Sequence, residues 1–326
     1  MIRKADGVSE AVHKAGYAGS PRRPKPSAER KGPALPQKPR KADLLGSLTV
    51  DVEEWFHMLD TPATPEMMKW ESLECRVDQN VERLLETLDR HSTRATFFWL
   101  AWVAERHARL VRRCVECGHE VACHGFGHVL AYQVGPEAFR EDIARGKMVL
   151  EDITGRPIRG FRAPGFGITE HTDWAFEVIR EAGYEYDASV FPTVRGHGGM
   201  PGFRTEPHLV HTNAGPLVEL PMSVVEALGR RVCLFSGGYL RIAPICLIRW
   251  GIRSLCKANK PLIVLVHPRE IDPYHPRLPL SLKRRFKSYV GLRSMMPKLR
   301  WLCAHYNFRP MRELADQVLA LEDVGG

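Results

Sequence analysis

Between about residue 45 and residue 270 the chain alternates short apolar runs with amphipathic stretches of helical period. No other feature constrains its fold as much. LGSLTVDVEEWF reads as a strand running into a loop. VDQNVERLLETLDRHST reads as a helix with Val81, Leu84, Leu85 and Leu88 on one face, and ATFFWLAW as a buried strand. HARLVRRCVECGHEVACHG is a helix closed by Gly118 and followed by a short strand. PEAFREDIARGKMVLEDITG starts with Pro136 in its first turn and ends at Gly155. RGFRAP, YEYDAS and PLIVLVH supply further strands, and TDWAFEVIREAG a helix ended by Gly183. Strands separated by helices pair in parallel through helical crossovers. The expected fold class is therefore α/β, a distorted or incomplete (β/α) barrel with a C-terminal helical extension that ends in MRELADQVLALE.

Charge and composition divide the chain further. The formal net charge of +9 suggests a polyanionic partner until it is located. Residues 1–43 hold eleven Lys and Arg against four Asp and Glu, which accounts for +7 of it. The folded part is close to neutral, so no nucleic-acid partner is expected. The expected organisation is a disordered, basic, Pro-rich tail over 1–44, a catalytic domain over 45–275, and a helical extension over 276–326 packed on the barrel. The tail could make at most weak contact with a membrane surface. The N-terminal MIRKADGVSEAVHKAG has no signal-peptide core, and LIVLV at 262–266 is far too short to cross a bilayer, so a cytoplasmic location is expected. The eight cysteines are scattered and read mainly as reduced core thiols. Cys114 and Cys117 have CxxC spacing but no second pair at zinc-ribbon distance.

Parallel α/β folds build their chemistry at the C-terminal ends of strands, and four such ends carry reactive groups. In TVDVEEW, Asp51 and Glu53 are two apart and project to one side of an extended chain, where two carboxylates call for a cation or proton between them. Period two favours Glu53 over Glu54, and a bulge at the strand end would reverse that choice. In HGFGH, His124 and His128 can converge on one ion through a single helical turn or a tight loop, with Gly125 and Gly127 allowing close backbone approach. RGFRAPGFG presents Arg162 before a Pro-forced turn. LIVLVHPREID ends a buried strand on His267, a candidate acid or base near neutral pH. One carboxylate and two histidines make a three-ligand metal site with open positions, the catalytic rather than the structural pattern. The remaining carboxylate, arginine and histidine can act as a base, its orienter and an acid.

In order and content these segments resemble the polysaccharide deacetylases of carbohydrate esterase family 4. TVDVEEW matches the first motif, HGFGH the HxxxH motif, RAPGF the Arg-Pro motif and LVH the terminal histidine motif. YDASVFP, VELP, GGYLRIAP and HPREIDP are similar to a bacterial subfamily tied to exopolysaccharide gene clusters, and the resemblance spans roughly 46–320. It implies a metal-dependent hydrolase that removes N-acetyl groups from an N-acetylated glycan. It implies Asp51 as catalytic base, Arg162 as its support, His267 as general acid, and Glu53, His124 and His128 as ligands of a divalent metal. Zinc is the first choice for that metal, with Co²⁺ and Ni²⁺ as alternatives. Asp187 is expected as the carboxylate supporting the acid histidine. Relatives that open cyclic amides, as allantoinases do, and non-catalytic glycan-binding relatives are the competing expectations.

Overall fold

The computed structural model describes residues 45–195 and 198–325, so the basic tail predicted over 1–44 lies outside the described residues. Among the described residues ten strands form, in chain order β1 (Gly46–Val52), β2 (Thr96–Trp99), β3 (Glu120–Cys123), β4 (Gly160–Phe161), β5 (Tyr186–Asp187), β6 (His208–Thr212), β7 (Gly215–Glu219), β8 (Val225–Ala227), β9 (Arg230–Val232) and β10 (Leu262–Val266). Eight of them make one sheet in the order β10-β1-β2-β3-β4-β5-β7-β6. It is parallel throughout except for the β6–β7 pair, and β10 and β6 are its two edges. This is the curled, unclosed half-barrel that the strand–helix alternation predicts. Every residue of β1 and β10 is buried, as a parallel strand covered on both faces requires.

The helices run α1 (Val77–Arg90), α2 (Ala101–Arg106), α3 (Ala108–Glu116), α4 (Ala131–Thr154), α5 (Trp174–Glu181), α6 (Gly237–Ile242), α7 (Ile245–Lys257), α8 (Leu282–Tyr289), α9 (Leu292–His305) and α10 (Met311–Gly325). In α1 the buried face is Val77, Val81, Leu84, Leu85 and Leu88, the stripe its periodicity predicts. In α4, Gly135 departs from helical geometry (φ 79°, ψ 174°) just before Pro136, and a left-handed Gly155 terminates the helix. Two expectations need correction. ATFFWLAW is a strand only through Trp99; Leu100 turns the chain and Ala101 and Trp102 open α2. The β6–β7 and β8–β9 hairpins do not alternate with helices, so a strand–helix reading passes over them.

The segment entering α10 closes the N-terminal end of the sheet. The Arg309 amide donates to the Gly46 carbonyl, Met311 to Thr96 Oγ1 (2.7 Å) and Arg312 to Glu120 (3.0 Å). The opposite, C-terminal end is left for the site. Among the described residues no helix is long and apolar enough to cross a membrane.

Candidate active site

Because β10, β1, β2, β3 and β4 are parallel, the residues just past them emerge on one side, and the first residues past the strands often continue the ladder. The His124 amide donates to the Trp99 carbonyl and Arg162 to that of Cys123, both at 2.9 Å. Asp51, Glu53, His124, His128 and His267 all line one pocket of about 220 Å³.

Ligand-type groups converge there. Glu53, His124 and His128 are buried, and each offers an atom within 4.8 Å of the others. His128 Nε2 is 2.7 Å from Glu53 Oε2. An imidazole nitrogen and a carboxylate oxygen brought this close in a buried cluster are the donor types that share a bound cation. His124 Nδ1 donates to the Arg162 carbonyl at 2.7 Å, which turns its Nε2 lone pair toward the cluster. Burial lowers the His124 pKa to about 4 and so keeps that lone pair free of a proton at neutral pH. Burial alone would raise the Glu53 pKa. His128 first, then His267 and Arg269, hold it well below the usual carboxylate range.

The HGFGH segment is a loop rather than a helical turn. Its anchor is Asp142 on α4, whose carboxylate accepts from the amides of Phe126 (2.9 Å) and Gly127 (2.7 Å). A Cβ at Gly125 (φ 75°) would meet Asp142 Oδ2 at 2.6 Å, so that position requires glycine. His128 itself is left-handed (φ 56°), a strain on the order of 1 kcal/mol held by this collar.

Arg162 is 1% exposed and donates from Nη1 to Asp51 Oδ1 (2.7 Å) and Thr49 Oγ1 (2.9 Å), and from Nε to the Ala188 carbonyl (3.1 Å). Its plane lies over Phe98 at 4.1 Å. Asp51 Oδ2 remains on the side of His124, 3.9 Å from Nε2. His267 Nδ1 meets Glu270 Oε2 at 3.1 Å, and Glu270 pairs in turn with Arg241 at 3.0 Å. Burial is the largest single effect and disfavours the charged His267 ring, but Glu270 and Glu53 together outweigh it and the pKa is raised. Its Nε2 points inward, 3.8 Å from Glu53 Oε1.

These contacts bear on two expectations. Glu54 turns away from the cluster: its carboxylate accepts from the amides of Arg76 (2.9 Å) and Val77 (3.0 Å) and caps α1. Asp187 does not support His267. It sits on β5 with its carboxylate bonded to Ser189 and registered against Glu219 on β7, while Glu270 occupies the place beside the histidine. The sequence carries a signal for Glu270: it follows His267 by three residues across Pro268, the spacing of a capping box. Asp142, eighteen residues after His124 and on a helix, has no such local mark.

Comparison with known proteins follows the same outline. Residues 68–186 match the polysaccharide deacetylase family, and residues 188–316 match a domain of unknown function, DUF3473. A peptidoglycan-N-acetylglucosamine deacetylase of Bacillus cereus is 32% identical over 103 residues, covering 32% of this chain and 46% of its own length. A peptidoglycan deacetylase of Helicobacter pylori is 24% identical over 110 residues, covering 34% and 36%. The chain thus spans less than half the length of these relatives. Among solved structures, a Mycobacterium smegmatis protein described as a polysaccharide deacetylase superposes with a TM-score of 0.56 at 21% identity, over 87% of this chain and 96% of that one. The Puue allantoinase gives 0.53 at 18%, over 88% and 93%. Both likenesses are of fold. His124, His128 and Arg162 fall in the first matched segment, whereas β10, His267 and Glu270 fall in the second. The segment that matches the polysaccharide deacetylase family and the segment that matches DUF3473 thus contribute to one sheet and one pocket.

Proposed function

We propose that the protein is a metal-dependent hydrolase that removes N-acetyl groups from an N-acetylated glycan. The observation that carries this reading is the convergence of Glu53, His124 and His128 beside an arginine-held Asp51 and a carboxylate-held His267 in one pocket. The donor set of one carboxylate and two imidazoles suits zinc, with Co²⁺ and Ni²⁺ as alternatives. When bound, such an ion polarises an acetamide carbonyl and acidifies water.

The chain's own groups divide the proton work. Arg162 occupies Asp51 Oδ1 and leaves Oδ2 to accept a proton from the attacking water. Glu270 accepts from Nδ1 and favours the protonated His267 ring, so Nε2 can give a proton to the departing amine, which leaves poorly without one. Glu270 is thus a positioning residue for the acid. The likeness of YDASVFP and HPREIDP to exopolysaccharide-cluster proteins supports an exopolysaccharide as the glycan.

Acetate release from defined N-acetylglucosamine oligomers tests the reading. Expected are activity lost to chelator and restored by Zn²⁺, and a loss of at least 100-fold in Asp51→Asn and in His267→Ala with zinc still bound. Undiminished release by either variant would remove the assigned roles. Ring opening of a cyclic amide without acetate release would replace the substrate class.

A further inference from the structure

The charges around the pocket do not balance once its acids are paired. Asp51 is engaged by Arg162, Glu270 by Arg241 and His267, and Glu53 by His128 with Arg269 3.7 Å away. Three more cations line the same pocket: Arg195, Arg284 and Lys287. Among the described residues none of the three has a carboxylate within 4.0 Å. Arg195 is the most constrained. Its guanidinium lies over Phe191 at 4.4 Å and Phe166 at 5.0 Å, and its Nη1 is buried without a hydrogen-bond partner. Burial pushes its pKa down. Cys233, Tyr239 and Asp51 act in the other direction, and the nearby Arg284 adds to the burial effect. Arg284 is fixed in turn by a hydrogen bond from Nη2 to the Leu59 carbonyl. A buried donor without a partner, beside a like charge, is costly. An oxyanion placed there removes both costs and gains charge-assisted hydrogen bonds.

We propose that the acetamido sugar accepted by this pocket carries an oxyanion, a phosphoryl or carboxylate group, held by Arg195 together with Arg284 and Lys287. This rests on the deacetylase reading above and narrows it to a charged substrate. Arg162 and Arg241 are unsuited to the task, because each already serves a carboxylate of the site. Arg195 has no such duty, and it lines the pocket from its aromatic bed.

The test compares acetate release by the zinc-loaded full-length protein from three substrates. These are a neutral N-acetylglucosamine oligomer, N-acetylglucosamine 1-phosphate, and an oligomer alternating N-acetylglucosamine with a uronic acid. Expected is a kcat/KM at least tenfold higher on one anionic substrate than on the neutral one, with the advantage shrinking as salt rises. The arm that shows it tells phosphoryl from carboxylate. In Arg195→Gln the anionic-to-neutral ratio falls at least tenfold, and Arg195→Lys keeps part of it. Arg284→Gln, at the neighbouring cation of the same pocket, moves the ratio in the same direction and serves if Arg195→Gln does not fold. Equal kcat/KM on all three substrates would overturn the proposal, as would an advantage untouched by the Arg195 and Arg284 substitutions. If no acetamido sugar releases acetate, the deacetylase reading fails on its own. Calorimetric titration with inorganic phosphate and with glucuronate then decides the anion site. Binding at least tenfold weaker in Arg195→Gln supports it, and unchanged affinity for both removes it.

Discussion

Glu53 and Glu54 are adjacent, equally buried and chemically alike, yet their carboxylates face opposite tasks. Glu53 turns to His128, and Glu54 turns to the free amides at the start of α1. The alternation of an extended chain already favoured Glu53 for the side shared with Asp51. What local sequence does not show is that Glu54 caps a helix that starts more than twenty residues later. The two roles predict separable losses. Glu53→Gln should weaken zinc binding at least 100-fold. Glu54→Gln should leave zinc affinity within about twofold and cost about 1 kcal/mol through the weakened cap, lowering the Tm by a few degrees. Equilibrium dialysis with zinc and calorimetric melting of both variants check this; the reverse pattern would make Glu54 the ligand.

At the scale of elements, the strand ends were the most readable part of the molecule. Buried parallel strands are short apolar runs, so the first polar residue after each run marks the pocket side, as with His124, Arg162 and His267. The supports behind those residues were less readable, because each comes from another element. Glu270 lies close enough in sequence to leave a trace, whereas Asp142 reaches the HGFGH loop from inside a helix whose pattern records only its packing face. Asp187 shows the opposite error: a strand-end carboxylate of the right type, paired across the sheet with Glu219 instead of with His267. The HGFGH loop therefore depends on α4 for its shape. Asp142→Ala should weaken zinc binding roughly 10- to 100-fold, the usual cost of losing an outer-shell partner, while the far-ultraviolet circular dichroism stays unchanged. Unaltered affinity would mean that the loop's own glycines suffice to hold it.

Across the whole molecule, the sheet buries ionisable groups in separate layers. The pocket at its C-terminal end is charged and built for exchange with solvent. Glu120, deep near the other end, is satisfied by Thr96, Tyr186 and the Arg312 amide. Between them, Asp187 and Glu219 stand side by side on β5 and β7, both fully buried, with Ser189 and the Val190 amide as their remaining partners. Burial raises Asp187 from its ordinary 3.8 to about 6, and burial with the Asp187 charge raises Glu219 well above 4.5. The folded pair therefore keeps protons that the unfolded chain gives up. Its contribution to stability is fully present below about pH 4, and it is lost as pH rises through 6 for Asp187 and higher for Glu219. Glu219→Gln preserves the acceptor for the Val190 amide and offers Asp187 an amide donor in place of a competing acid. Urea unfolding of both proteins at pH 5 and pH 8 should show the variant gaining stability relative to the parent as pH rises, by on the order of 1–3 kcal/mol. Taking the difference between the two proteins cancels the titrations they share, such as the buried histidines. Parallel stability curves would show that the two carboxyls do not share a proton in the folded state.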